Sequence, residues 1–397
     1  MVATMATADA ILKEVYEPRI REQLANYNRA TKRMEESAEG ITSDAGGKYV
    51  VFTVHIKRNS GVGARREMEA LPTAQNQSYA RAQVSMAYLY GSIRISGPTM
   101  KLASTNEQAF AAVLDEEVSG IQTDLKRDYN RQIWGDGTGV IVTSSGSYAV
   151  NTIPTTYTPA SFEVGMVVDI YASDLTTQKA SGRNVTAVTA NTSVVVDGAA
   201  ITTGASGDVI VRTGNISRET MGFAGIVNNS GILYNMDPAT YPVWKSTVNN
   251  NGGTNRAISE SLMIKMVDDI YTQGGDTTVI WTTLGVRRSY YNLLVQQRRF
   301  QEPKQFDGGF TGLGFTTERG EVPIMTDIDC QPNKMYFLNE KEFTIYQPAD
   351  WQWMDEDGSR WFRVSGFDAY DATNFKYMQL GCHRRNSQGL MADITES

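Results

Sequence analysis

The chain has 397 residues, 41% of them hydrophobic and 20% charged, with a formal net charge of −7. That balance excludes wholesale disorder, leaves room for two or three domains with real cores, and argues against a duplex-coating protein, which would show a basic stripe. No apolar run approaches about 18 residues, no basic stretch followed by an apolar run opens the chain, and Cys330 and Cys382 make no disulfide framework. Neither a membrane span nor a secretory signal is predicted, and cytoplasmic synthesis is the simple reading.

Residues 1–40 carry an amphipathic helical pattern (Ile11, Leu12, Val15, Tyr16, Ile20, Leu24, Tyr27) that Pro18 interrupts, so two short helices or a kink are expected. This arm has few apolar residues to pack on, which suits either a docked terminal helix or an arm lying on a neighbouring subunit. Residues 47–97 read as a long hairpin. The outgoing strand is Tyr49–Lys57, the return is Val84–Ile95, and a polar, Gly-rich excursion from Asn59 to Gln77 lies between, with Arg58, Arg65, Arg66, Glu67 and Glu69. A connection of about 26 residues far exceeds a hairpin loop. A lone two-stranded ribbon is marginal in water, so a partner subunit is expected to cover it.

From Ser104 to about Trp134 the pattern is one long helix. Ser104 and Glu107 make a capping box, and Phe110, Val113, Leu114, Val118, Ile121, Leu125, Tyr129 and Ile133 recur every three or four residues. Acidic side chains come early, Lys126, Arg127 and Arg131 come late, and Gly135-Asp136-Gly137 stops the helix. Gly120 allows a bend. Residues 140–215 turn to Thr, Val, Ala, Gly and Ser in short strand patterns, which suggests an inserted small β-barrel or sandwich. Beyond Phe223 helices are predicted at 256–271 and 284–300, a loop over 301–320, and strands at 277–282, 323–328, 335–338, 343–346, 351–364 and 375–384. Without a repeated βαβ rhythm, the fold class is α+β.

A search for chemistry comes up empty. His55 sits in a strand pattern and reads as structural, and His383 beside Cys382 lacks the further ligands a zinc site wants. There is no G-x-S-x-G elbow, and Gly61-Val62-Gly63 completes no phosphate-loop fingerprint. Asp355–Gly358 misses the calcium-loop spacing, and Arg298-Arg299 and Arg384-Arg385 read first as solvated faces. No catalytic residue, metal or cofactor is predicted.

Three stretches carry a resemblance. Arg58-Asn59-Ser60-Gly61-Val62-Gly63-Ala64-Arg65, with Leu71-Pro72, Tyr88–Gly91 and Ile93-Arg94-Ile95-Ser96-Gly97, looks like an extended capsid loop. Ser104–Trp134 looks like a spine helix, and Cys382-His383-Arg384-Arg385-Asn386-Ser387-Gln388-Gly389 is similar to a closing strand. In that order, the chain resembles the major capsid proteins of tailed bacteriophages, with the Hong Kong 97-type fold. The resemblance implies an N-terminal arm (1–45), an extended loop (46–99), a spine helix (100–139), the inserted β-domain (140–215), an axial domain (216–340), peripheral strands (341–375) and a C-terminal strand returning to the axial domain (376–397). It implies a non-catalytic chain whose hexamers and pentamers build an icosahedral head around double-stranded DNA, without sequence-specific contact or membrane, assembled in the host cytoplasm.

Tyr16 of the arm, Arg58, Arg65, Arg66, Glu67 and Glu69 of the loop, and Arg298 and Arg299 are the candidate inter-subunit contacts. Almost nothing precedes the arm, so a separate scaffolding protein is expected, alongside a portal and, on the insert, a possible decoration protein. The alternatives are a nanocompartment shell of the same fold around a protein cargo, and a carbohydrate-binding tail-associated protein suggested by the β-rich insert.

Overall fold

The computed structural model describes residues 28–37, 49–99, 107–296, 304–306, 310–355 and 359–397. Most of the predicted arm, including Tyr16, lies outside them, as do Ser104, Arg298, Arg299 and Glu356–Gly358.

Helix α1 (Arg29–Ser37) is the base of the arm, and it docks within its own subunit: Ala30 and Met34 are fully buried in the main core. Strands β1 (Tyr49–Lys57) and β2 (Ser78–Ser85) pair antiparallel from Tyr49–Ser85 to Lys57–Ser78. The return strand therefore begins at Ser78, earlier than the sequence pattern suggested, and the connection shortens to residues 58–77. After Met86 the chain leaves the ribbon, and β3 (Ala87–Ser96) joins another sheet. The expected cover for the ribbon is corrected too. Its inner face, with Val50, Phe52, Val54, Ala80, Ala82 and Val84, packs on the subunit's own core, and the Phe52 ring meets Tyr234 and His383 edge-on.

The long helix α2 (Glu107–Trp134) runs 28 residues, about 42 Å at 1.5 Å per residue. Its last turns are buried all round, polar residues included, instead of along one stripe. Trp134 meets Phe223, Trp281 and Tyr336 edge-on, so the helix ends inside the aromatic centre of the core.

Strands β4 (Val140–Thr143), β5 (Thr152–Pro154), β6 (Val167–Tyr171), β7 (Gln178–Thr189), β8 (Ser193–Val196) and β9 (Val209–Arg212) form one sheet in the order β4-β9-β6-β7-β8-β5. A bridge between Ser144 and Thr155 joins its two ends, so the sheet closes into a small barrel around Ile153, Val168, Ile170, Val194 and Ile210. The chain enters and leaves this barrel at one point, where the Ser217 amide donates to the Thr138 carbonyl at 2.8 Å. Gly139 there has φ +83°, and a Cβ would lie 2.8 Å from the Asn215 carbonyl oxygen, so the crossing needs glycine.

After a short helix α3 (Phe223–Ile226), the body forms a seven-stranded sheet. It contains β10 (Thr247–Asn249), β11 (Val279–Thr282), β12 (Lys304–Phe306), β13 (Phe310–Thr317), β14 (Gly320–Thr326), β15 (Met335–Leu338) and, from the C-terminus, β20 (Gly389–Met391), in the order β10-β20-β15-β11-β14-β13-β12. Alternate residues face opposite cores. Trp281, Tyr336 and Leu338 point to the main core, while Ile280, Met335 and Phe337 pack under helices α4 (Glu260–Thr272) and α5 (Leu284–Gln296). Ser259 caps α4 by accepting from the Leu262 amide. The stretch expected to be a loop at 301–320 holds β12 and β13, because β13 pairs with β14 and β12 with β13, which overrides the weak strand preference of its glycines.

The remaining sheet is organised on β19 (Ala369–Cys382), which starts six residues before the expected strand. One edge of β19 pairs with β16 (Phe343–Tyr346), β17 (Gln352–Trp353) and β18 (Phe362–Arg363), the last two being all that forms of the strand expected over 351–364. The other edge pairs with β3 over ten residues, Ala369–Ser96 to Met378–Ala87. The class is α+β, as the alternation of short elements indicated.

Candidate assembly surfaces

The loop 58–77 is organised by its own polar groups. His55 Nε2 lies 2.7 Å from Gln77 Oε1, which also accepts from the Asn59 amide at 3.1 Å, and Asn59 Nδ2 donates to the Gln75 carbonyl. Histidine here is the lock at the root of the loop. At the tip, residues 66–69 form a turn: the Glu69 amide donates to the Arg66 carbonyl, and the Arg66 amide donates to Glu69 Oε2 at 2.8 Å. Arg65 Nε donates to the Ala70 carbonyl at 2.9 Å. The structure thus brings Arg65, Arg66 and Glu69 together within one loop, with Arg58 and Glu67 exposed beside them. The apolar residues of this loop are bare: Val62 is 86% exposed, Leu71 85% and Met68 100%.

The face of the β3–β19 sheet turned to solvent carries four matched cross-strand pairs: Tyr88–Tyr377, Tyr90–Phe375, Ser92–Thr373 and Arg94–Asp371. Tyr377 meets Tyr88 edge-on at 5.1 Å and lies tilted against Phe375 at 5.0 Å, and Tyr88 and Tyr90 remain more than half exposed. Alternate residues Ala87, Leu89, Gly91 and Ile93 turn inward. Gly91 lets α2 approach, since a Cβ there would lie 2.8 Å from Leu125 Cδ1. A groove of about 720 Å³ runs between β3, α2 and the 212–219 crossing.

Two buried polar networks hold the parts around this face. In the first, the arm base meets α2 and the turn after β14. Asp327 Oδ2 accepts the Ala30 amide at 3.1 Å and so caps α1 from 297 residues away, while the Thr31 amide and hydroxyl both donate to Asn130 Oδ1. Asn130 Nδ2 donates to Asp329, which also pairs with the Arg127 guanidinium. Burial, then the neighbouring Asp329 charge, pushes the Asp327 carboxyl above its ordinary range.

In the second network Asp128 accepts from Arg131 Nε at 3.0 Å and from Gln132 Nε2 at 2.7 Å, and Arg131 also pairs with Glu219 at the crossing. Burial raises Asp128, but the Arg131 and Arg212 guanidiniums outweigh it and hold the carboxyl down at about 2.

The other histidine, His383, lies 2.8 Å through Nε2 from the Tyr346 hydroxyl, and burial pushes the neighbouring Cys382 thiol up to about 12. Among the described residues no group of three or more His, Cys, Asp or Glu side chains could hold a metal. Sequence reasoning missed the Asn130–Asp327–Asp329 cluster and the β3–β19 ring face. An Asn beside an apolar stripe and Tyr at alternate strand positions were the available signals.

No curated protein matches this chain. Among solved structures, the capsid asymmetric unit of cyanophage A-1(L) superposes with a TM-score of 0.63 at 14% identity, covering 99% of this chain and 100% of that one. The capsid of an empty GTA particle gives 0.51 at 8% identity, covering 99% of each chain. Such low identities speak for the fold alone, which is the Hong Kong 97-type capsid fold. The family model of the SU10 major capsid protein matches residues 48–357, and the chain belongs to that family: a structural, non-catalytic capsid subunit, many copies of which build the shell of a virion.

Proposed function

We propose that the subunits form hexamers and pentamers that close into the icosahedral head of a tailed phage around double-stranded DNA, assembled in the host cytoplasm. The observation that carries this reading is the loop 58–77. It stands off its own subunit with Val62, Met68 and Leu71 in water, a cost of roughly 1.5–3 kcal/mol per large apolar side chain that burial against another copy would recover. Arg58, Arg65, Arg66, Glu67 and Glu69 then become rim contacts to the adjacent subunit, with Tyr16, Arg298 and Arg299 as further contacts. In this reading the body around the seven-stranded sheet is the axial part, α2 with the β19 sheet is the peripheral part, and the barrel 140–215 projects as a site for a decoration protein. A net charge of −7 suits a container that must not adhere to its DNA. A separate scaffold and a portal complete the assembly set.

Expression of the chain alone, and with its neighbouring reading frames, tests this by sedimentation and negative-stain microscopy. Capsomer rings that become closed shells when a scaffold is supplied are the expected result, with nuclease-protected DNA in particles from infected cells. A monomer under all conditions would overturn the reading, and a protein cargo in place of DNA would move it to the nanocompartment alternative.

A further inference from the structure

The barrel meets the body through a narrow neck with open space on both sides. We infer that the barrel 140–215 rocks on this neck between two tilts, one with the cleft beside β4 open, as in this structure, and one with that cleft closed. The motion belongs to the single subunit and does not depend on the shell reading above.

The neck is built to turn. Its two chains carry three glycines in the left-handed region, Gly137 and Gly139 at φ +83° and Gly214 at φ +82°, and the single Ser217–Thr138 amide bond joins them. Without a Cβ, glycine moves between neighbouring backbone conformations at little steric cost, so torsion concentrates at these positions. A Cβ at Gly214 would meet nothing within 4 Å, so glycine is not there to let another group approach. The barrel's core, around Ile153, Val168, Ile170, Val194 and Ile210, shares no residue with the two cores of the body. Turning the neck therefore breaks no apolar cluster.

Room for the turn lies on either side. A cleft of about 340 Å³ separates β4 from Gln331, Pro332 and Lys334 of the body. Opposite, the 720 Å³ groove separates Arg212 and Gly214, at the end of β9, from α2 and β3. β4 and β9 are paired neighbours, so a tilt that narrows one space widens the other. A rigid joint would be packed at the density of the cores, with no space of this size.

The tether across the groove is weak. Arg212 Nη2 lies 3.8 Å from Asp128 Oδ1 with the arginine side chain 43% exposed, and Asp128 keeps Arg131 and Gln132 of its own helix when Arg212 leaves. Arg212 Nε is buried without a hydrogen-bond partner, an unmet donor that a wider groove would open to water. Across the cleft, Thr143 and Thr156 of the barrel face Gln331 and Lys334 of the body, polar groups able to bond one another when the walls meet.

Distances between spin labels test the motion, because both native cysteines are buried and engineered ones label alone. In the unassembled subunit, the pair Ala187→Cys on the barrel and Asp268→Cys on α4, both exposed, should give two distance maxima. The pair Ala187→Cys and Val150→Cys, within the barrel, should give one narrow maximum. Thr143→Trp fills the cleft from the barrel wall and Pro332→Trp from the body wall, and each should remove the closed-cleft maximum, so a folding defect in one chain does not decide the result. A single barrel–body maximum as narrow as the control would overturn the rocking. Two maxima in unchanged proportion in both tryptophan chains would overturn it as well.

Discussion

Arg33 and Glu340, 307 residues apart in sequence, form a forked ion pair with both side chains buried, Nε to Oε1 at 3.0 Å and Nη2 to Oε2 at 3.2 Å. The pair ties the arm-base helix to the turn between β15 and β16. Burial raises the Glu340 carboxyl and Arg33 offsets only part of the shift, so the carboxylate depends on its partner to stay ionised. Replacing Arg33 leaves the buried Glu340 carboxylate uncompensated, at a cost of about 3–5 kcal/mol. Arg33→Met is expected to detach α1 before the body unfolds. Faster amide exchange confined to residues 29–37 is the measurement, and unchanged protection there would refute it.

The Asp128 network gives the protein an acid limit. The folded carboxyl titrates near 2 and an unfolded aspartate near 3.9, so the unfolded state binds the proton more readily. Its contribution is therefore complete above about pH 4 and disappears as pH falls through 2, worth about 2 kcal/mol. Asp327 and Glu340 act with the opposite sign. Their folded values are raised, so their protonated forms favour the folded state at low pH and that gain is lost as pH rises through the folded values. Asp128→Asn should flatten the loss of stability between pH 4 and 2 in denaturant titrations, and an unchanged slope would remove Asp128 from the account.

Arg385 is buried, and its guanidinium donates to main-chain carbonyls, Ile226 at 2.9 Å, Ser230 at 3.0 Å and Gly231 at 3.1 Å among them. Burial lowers its guanidinium to about 10, yet the planar fork serves several acceptors of the 225–244 segment at once. Lysine has one compact head and cannot span them. Arg385→Lys is expected to cost about 2–4 kcal/mol, each orphaned buried carbonyl being worth about 1–3. Chemical denaturation of the unassembled subunit reads this directly, and a loss below about 1 kcal/mol would show that the fork is dispensable.

Gly91 and Leu125 set the distance between β3 and the long helix. A methyl at position 91 meets Leu125 at 2.8 Å, so Gly91→Ala should destabilise by about 1–3 kcal/mol through overpacking. Leu125→Ala in the same chain should recover part of that loss, giving a coupling of opposite sign in a double-mutant cycle. Strict additivity would mean that the helix, not the leucine, yields.

How far the sequence spoke for the fold depended on whether the deciding partner was local. The long helix, β1 and, in the barrel, β6, β8 and part of β7 were legible because their periodicities are properties of the segment itself. Residues 78–96 were not, since alternation runs on through Met86 while the pairing partner changes from β1 to β19. Nothing near position 86 records that a strand 280 residues away is waiting. The same holds for Arg384-Arg385, read as a solvated basic pair, of which Arg385 is 1% exposed. Of the candidate assembly surfaces, the charged loop was legible from composition as an exposed excursion. The exposed rings of Tyr88, Tyr90, Phe375 and Tyr377 required the β3–β19 register, which no local pattern carries.

The hydrogen bond between Thr138 and Ser217 makes the barrel a cassette. Its two ends meet at a single amide contact, so the seam left by its removal is one short turn wide, and neither α2 nor α3 would have to change course. Any foreign domain with termini that close could be carried at the same position. The body's packing and the surface the barrel presents are thereby free to evolve on separate schedules, one fixed by the two large cores and the other written into a replaceable module.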